Sequence, residues 1–188
     1  MRVLTLTPQL FAEHCARLEA LAADFRPDLI VTVARGGDYV GELMFADIPH
    51  VSVRSQRPST ARKGRWLKAL ARRMPLWARN MMRIAEARML ARRRTEPVPV
   101  THDDDVREAI SRAGSVLVVD DAVDSGASMR AVLDAIDSVP GSRMTAVAVI
   151  TVTQRQPCVD ARYALYRDGT LVRFPWSEDY SDNDNKES

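Results

Sequence analysis

The chain has 188 residues, 46% hydrophobic and 28% charged, which is the balance of a folded globular domain and excludes a disordered or collagen-like chain. No apolar run approaches the ~18 residues of a membrane-spanning helix, and the N-terminal MRVLTLTPQLFAEH lacks the apolar core of an export signal. The formal net charge of +2 conceals a strong segregation: Arg54 to Arg94 holds 14 basic residues and one acid, Glu86, against 13 basic and 24 acidic residues elsewhere.

In chain order, Thr7-Pro8 reads as an N-cap followed by proline at the first helical position, and Phe11, Cys15, Leu18 and Ala22 repeat at helical spacing after it. Leu29 to Ala34 is a short continuous apolar run of the kind buried in a parallel sheet. A Gly36-Gly37 turn, a short helix containing Val40, Leu43 and Met44, and a second strand, His50 to Arg54, come next. Asp103 to Ala113 reads as a helix with acids in its first turn and Gly114 beyond its end. Ser115 to Asp121 is a third strand, Ala127 to Ser138 a helix, and Met144 to Val152 a fourth strand. Arg162 to Phe174 reads as a hairpin turning at Asp168-Gly169. Alternating strands and helices predict an α/β fold with a doubly wound, mostly parallel sheet flanked by helices. The length suits a single domain over about residues 1–176, carrying a basic helical insertion at 56–102 and an acidic, flexible tail at 177–188.

Ligands of such sheets bind beyond the carboxyl ends of the strands. There the third strand delivers Asp120, Asp121, Ala122, Val123, Asp124, Ser125, Gly126, Ala127 and Ser128 into a helix. Asp124 and Ser125 suit helix capping, but capping needs neither Asp120 nor Asp121, and three carboxylates at a strand end are costly unless something occupies them. Adjacent acids at a strand tip accept hydrogen bonds from vicinal hydroxyls and hold a hydrated divalent cation, while Ser-Gly-Ala-Ser at a helix start offers N–H groups and hydroxyls to a phosphate. A sugar phosphate satisfies both.

The run VLVVDDAVDSGAS, residues 116–128, resembles the ribose-phosphate signature of the type I phosphoribosyltransferases, with Ser125 and Ser128 where that family has threonine. The closest likeness is to the xanthine/guanine/hypoxanthine type. The resemblance implies that Asp120 and Asp121 bind the ribose hydroxyls of phosphoribosyl pyrophosphate and its Mg²⁺. It also implies that Asp124, Ser125, Gly126, Ala127 and Ser128 wrap the 5′-phosphate. Ala34-Arg35-Gly36-Gly37 looks like the family's pyrophosphate loop, in which purine members carry a non-proline cis peptide before the residue at Arg35. The chemistry implied is attack by a nitrogen of a purine-like base on ribose C1′ with release of pyrophosphate, as in nucleotide salvage. Asp124 stands where the family has its candidate general acid or base. Phe174-Pro175-Trp176 resembles the segment that closes over the base, so Trp176 is a candidate base contact, with packing on the first helix as the alternative. The family's lysine after the fourth strand is missing: this stretch is Thr153-Gln154-Arg155-Gln156-Pro157, and Arg155 is the candidate replacement.

Leu67, Leu70, Met74, Trp77, Met81 and Ile84 form an apolar stripe at helical period, with Pro75 separating two expected helices. Such a stripe on a basic segment packs on its own body or a second subunit, lies on an anionic membrane, or leaves an arginine face for RNA. A homo-oligomer is expected, with nucleic acid or an anionic membrane as the other partners that residues 54–94 could take. The alternative to an enzyme is a phosphoribosyl-pyrophosphate-sensing regulator that binds RNA through residues 54–94. His14, His50 and His102 lack metal spacing and are expected at the surface or at caps, while Cys15 is expected in the core. With Cys158 it is too little for a disulfide framework or a zinc site, in keeping with a reducing cytoplasm.

Overall fold

The computed structural model describes residues 2–55, 74–91, 100–101, 103–177 and 179–181. Residues 56–73, 92–99 and 102 of the expected basic insertion, with Leu67, Leu70 and His102, and the end of the acidic tail lie outside the described residues.

Strand β1 (Val3–Thr5) leads into helix α1 (Pro8–Ala22), whose N-cap Thr7 hydroxyl accepts the Leu10 N–H at 3.1 Å. Phe11, Cys15, Leu18 and Ala22 form its buried face, as their spacing requires. His14 joins that face, against expectation for a histidine. Its ring nitrogens lie 2.6 Å from the Leu10 carbonyl and 2.8 Å from the Tyr166 hydroxyl, which satisfies them without water. Then come β2 (Leu29–Val33), α2 (Gly36–Gly41), β3 (His50–Ser55), α3 (Leu76–Ala91), β4 (Val100–Thr101), α4 (Asp104–Arg112), β5 (Ser115–Val123), α5 (Ala127–Asp137), β6 (Met144–Val152), β7 (Tyr163–Tyr166) and β8 (Leu171–Arg173).

Six strands form one sheet in the order β4-β3-β2-β5-β6-β7, parallel except for the antiparallel β3–β4 pair at one edge. The period-two alternation of the central strands fills both faces. Val31, Val116, Val118, Val147 and Val149 point toward α4 and α5, while Ile30, Leu117, Val119, Ala148 and Ile150 point toward α1 and α2. From β2 the chain winds outward to β3, and from β5 it winds the other way to β6 and β7. The adjacent carboxyl ends of β2 and β5 are thus the topological switch point, where such sheets open a crevice.

The expected hairpin at Asp168-Gly169 does not form. The turn itself is present, with Asp168 Oδ1 accepting the Thr170 N–H and hydroxyl at 3.1 and 2.6 Å and Gly169 at φ +77°. However, β7 adds parallel to β6, and β8 leaves to pair parallel with β1 in a separate two-stranded sheet. A turn motif fixes a local reversal but not the edge the next strand will find.

Helix α3 begins just after Pro75, as the proline predicts, but the face it buries is not the apolar stripe. Trp77 and Met81 are 70% and 59% exposed, whereas Ala78 and Arg79 are buried. Arg83 donates to Asp179 Oδ1 at 2.7 Å and to the Val172 carbonyl at 2.8 Å, and Arg79 donates to the Asp179 carbonyl at 2.8 Å. Arg173, fully buried, donates to Asp179 Oδ2, Thr5 Oγ1 and Asn80 Oδ1. The helix is docked on the small sheet by guanidinium groups, and Asp179, assigned by composition to the tail, is their common acceptor. Burial works against the charged form of Asp179, but Arg83 and Arg173 outweigh it and hold the carboxyl below the usual carboxylate range.

Candidate active site

Three chain segments meet beyond the carboxyl ends of β2, β5 and β6. The first is Ala34 to Asp38. Thr32, the polar residue in an otherwise apolar β2, donates its hydroxyl to Asp38 Oδ1 at 2.5 Å, and Ser52 of β3 donates to the same oxygen at 2.7 Å. Asp38 Oδ2 accepts the Arg35 N–H at 3.1 Å. Partial burial penalises the charge on Asp38, yet these hydrogen bonds and the nearby Arg54 more than compensate, so its carboxyl titrates below the usual range. Among the described residues no peptide bond is cis. The bond before Arg35 is trans, and Arg35 instead takes φ +85° and ψ −95°, a region rarely populated by residues with a side chain.

The second segment is Asp120 to Ser128. It abuts the first so closely that a methyl group on Gly36 would fall 2.3 Å from the Asp121 carboxyl carbon, and one on Gly37 would fall 2.6 Å from the Val119 carbonyl oxygen. Glycine is required at 37 because backbone cannot yield. Asp120 and Asp121 are half-buried, and Asp120 Oδ1 accepts the Asp121 N–H at 2.9 Å. Beyond Asp124, Gly126 adopts φ +85° before α5 begins, and a Cβ there would meet Val159 at 2.6 Å.

The third segment, Thr153 to Val159, closes against the second. Thr153 Oγ1 donates to Asp124 Oδ1 at 2.6 Å, the Cys158 N–H donates to the Ser125 carbonyl at 2.8 Å, and Arg130 donates to the Cys158 carbonyl at 2.8 Å.

The arrangement therefore joins Ala34, Arg35, Gly36 and Gly37 to Asp120, Asp121 and the turn from Asp124 to Ser128. Arg155 is exposed on the third segment. Trp176 stands in an aromatic cluster: it stacks on Phe174 at 4.9 Å and on Tyr39 at 4.5 Å between ring centres, with Phe11 of α1 edge-on at 4.9 Å. Asp38 and Thr153 are the participants that the sequence did not single out.

The sequence matches the phosphoribosyl transferase domain family over residues 65–182, well over half of the chain. The chain belongs to the phosphoribosyltransferase family. Membership makes this protein a phosphoribosyltransferase enzyme, as the run from Val116 to Ser128 implies. The match takes in α3 and begins after the Ala34–Gly37 loop. Among solved structures, the xanthine-guanine-hypoxanthine phosphoribosyltransferase of Helicobacter pylori is similar at 16% identity over 99% of both chains, with a TM-score of 0.63. The purine phosphoribosyltransferase of Pyrococcus horikoshii Ot3 is similar at 19% identity over 94% of this chain and 95% of its own, with a TM-score of 0.58. A hypothetical protein from Neisseria gonorrhoeae with bound ppGpp is similar at 17% identity over 99% of this chain and 94% of its own, with a TM-score of 0.65. At these identities the likeness is one of fold. No curated protein matches the chain.

Among the described residues no cluster of three or more metal-ligating side chains occurs, and none of the helices is long and apolar enough to cross a membrane. Two adjacent carboxylates at one strand tip suit Mg²⁺ all the same, because that ion keeps several waters and commonly shares one or two carboxylates with a substrate's phosphates. Asp120 and Asp121 fit the ion in that manner.

Proposed function

We propose that this phosphoribosyltransferase transfers the phosphoribosyl group of phosphoribosyl pyrophosphate to a ring nitrogen of a purine-like base, in nucleotide salvage. The observation that carries the reading is the packing of Gly36 and Gly37 directly on Asp120 and Asp121 at the switch point. A loop suited to a diphosphate then lies beside acids suited to a diol, and the turn from Asp124 to Ser128 leads from those acids into α5.

In this reading Ser125, Gly126, Ala127 and Ser128, at the start of the eleven-residue α5, take the 5′-phosphate with backbone N–H groups and hydroxyls. Asp120 and Asp121 accept from the ribose hydroxyls and hold Mg²⁺, which when bound offsets the charge of the leaving pyrophosphate. Arg35 supplies further positive charge to that leaving group. The bond from C1′ to the pyrophosphate oxygen breaks, the bond from C1′ to the base nitrogen forms, and the proton of that nitrogen must leave. Asp124 is the group to exchange a proton with the base, and Thr153 fixes one of its oxygens. Catalysis then rests on orientation and on charge placed where charge develops. For the base, Arg155 is the candidate reader of a ring oxygen, and Trp176, stacked on Tyr39 of α2, is the candidate aromatic contact.

The test is pyrophosphate release from phosphoribosyl pyrophosphate across a panel of bases with Mg²⁺. Turnover with a 6-oxopurine is expected. Tight sugar-phosphate binding without turnover on any base, together with RNA retention that weakens as salt rises, would instead establish a phosphoribosyl-pyrophosphate-sensing regulator.

A further inference from the structure

Asp38 presents a physical conflict. A carboxylate directly after a loop meant for a diphosphate repels that loop's ligand, and the group is held ionised. Its hydrogen bonds supply the reason for its presence. Oδ1 collects the hydroxyls of Thr32, at the end of β2, and Ser52, on β3, while Oδ2 collects the backbone N–H of Arg35. One side chain thus ties β2 and β3 to the loop that follows β2. The residue it restrains, Arg35, is held at φ +85°, which persists only where the surroundings dictate it. The three donors come from β2, β3 and the start of the loop that follows β2.

We propose that Asp38 is a positioning residue for the pyrophosphate half of the site. It holds the Arg35 backbone in the conformation from which the loop and its guanidinium receive the diphosphate, and it has no part in holding ribose phosphate. The role rests on the reading of the site given above and extends it to a residue outside the Ala34–Gly37 loop.

The experiment is calorimetric titration of the full chain with magnesium pyrophosphate and, separately, with ribose 5-phosphate. Asp38→Asn retains one oxygen for Thr32 and Ser52 but offers an amide that cannot accept the Arg35 N–H. The expected result is about tenfold weaker pyrophosphate binding, the scale of one lost hydrogen bond to a charged group, with ribose 5-phosphate affinity unchanged. Unaltered pyrophosphate affinity overturns the proposal, and so does an equal loss for both ligands, which is what a merely structural residue gives. Ser52→Ala removes a donor from the far strand and serves if the first variant does not fold. It predicts a smaller loss, again confined to pyrophosphate, and the same two results overturn the proposal. A native chain that binds neither ligand defeats the assignment of the whole pocket, an outcome distinct from native binding that the Asp38 variant leaves untouched.

Discussion

Asp124 sits at the end of β5 with Oδ1 fixed by Thr153, so its role is open to a substitution that keeps its shape. Asp124→Asn preserves the acceptor for Thr153 and removes the capacity to exchange a proton. Steady-state kinetics should show kcat reduced by about 10²-fold or more, within the usual contribution of a general acid or base, with the melting temperature little changed. An unaltered rate removes Asp124 from the chemistry. At this scale the sequence was eloquent where chemistry is contiguous: Asp120, Asp121 and Asp124 stand within five positions, after an apolar strand that needs none of them. It was silent on Thr153, 29 residues from Asp124, and on Asp38, whose donors Thr32 and Ser52 come together only when β2 and β3 pair. Neither residue belongs to a local pattern that an eye on the chain could catch.

Among the elements, α3 inverts the usual rule that a helix buries its apolar stripe. Its docked side is built on Arg79 and Arg83, and the center of that interface is Asp179, facing a fully buried Arg173. Removing one partner of such a pair strands the other, so Asp179→Asn should lower stability at pH 7 by about 2–4 kcal/mol. The pH dependence follows from the depressed pKa of Asp179 in the folded state. Its contribution is fully present above the unfolded value of about 4 and is lost as pH falls through the lower folded value. Urea unfolding at neutral and acid pH should therefore show the two proteins converging as the medium is acidified, and a constant difference would contradict the linkage. The periodicity of Trp77, Met81 and Ile84 correctly marked a helix, but periodicity ranks faces by hydrophobicity alone. It does not register a buried arginine and an aspartate waiting some hundred residues away.

For the whole molecule, the two faces of the sheet are filled by alternate residues of the same strands, and Leu117 of β5 stands fully buried on the α1 side. Leu117→Ala should cost about 2–5 kcal/mol, measured by denaturant unfolding, and a loss below 1 kcal/mol would mean that this face is not a packed core. The sequence by itself determined the α/β class and the boundaries of most helices and strands, and it supplied the candidate acids and glycines, because each of these is written in periodicity or in contiguous residues. Only the tertiary structure decided that β8 joins β1 instead of folding back on β7, that α3 docks through its arginines, and that Gly36 and Gly37 lie against Asp121 and Asp120. Those outcomes depend on which strand edges and which charges meet across long stretches of chain, and such encounters are settled by packing the complete domain.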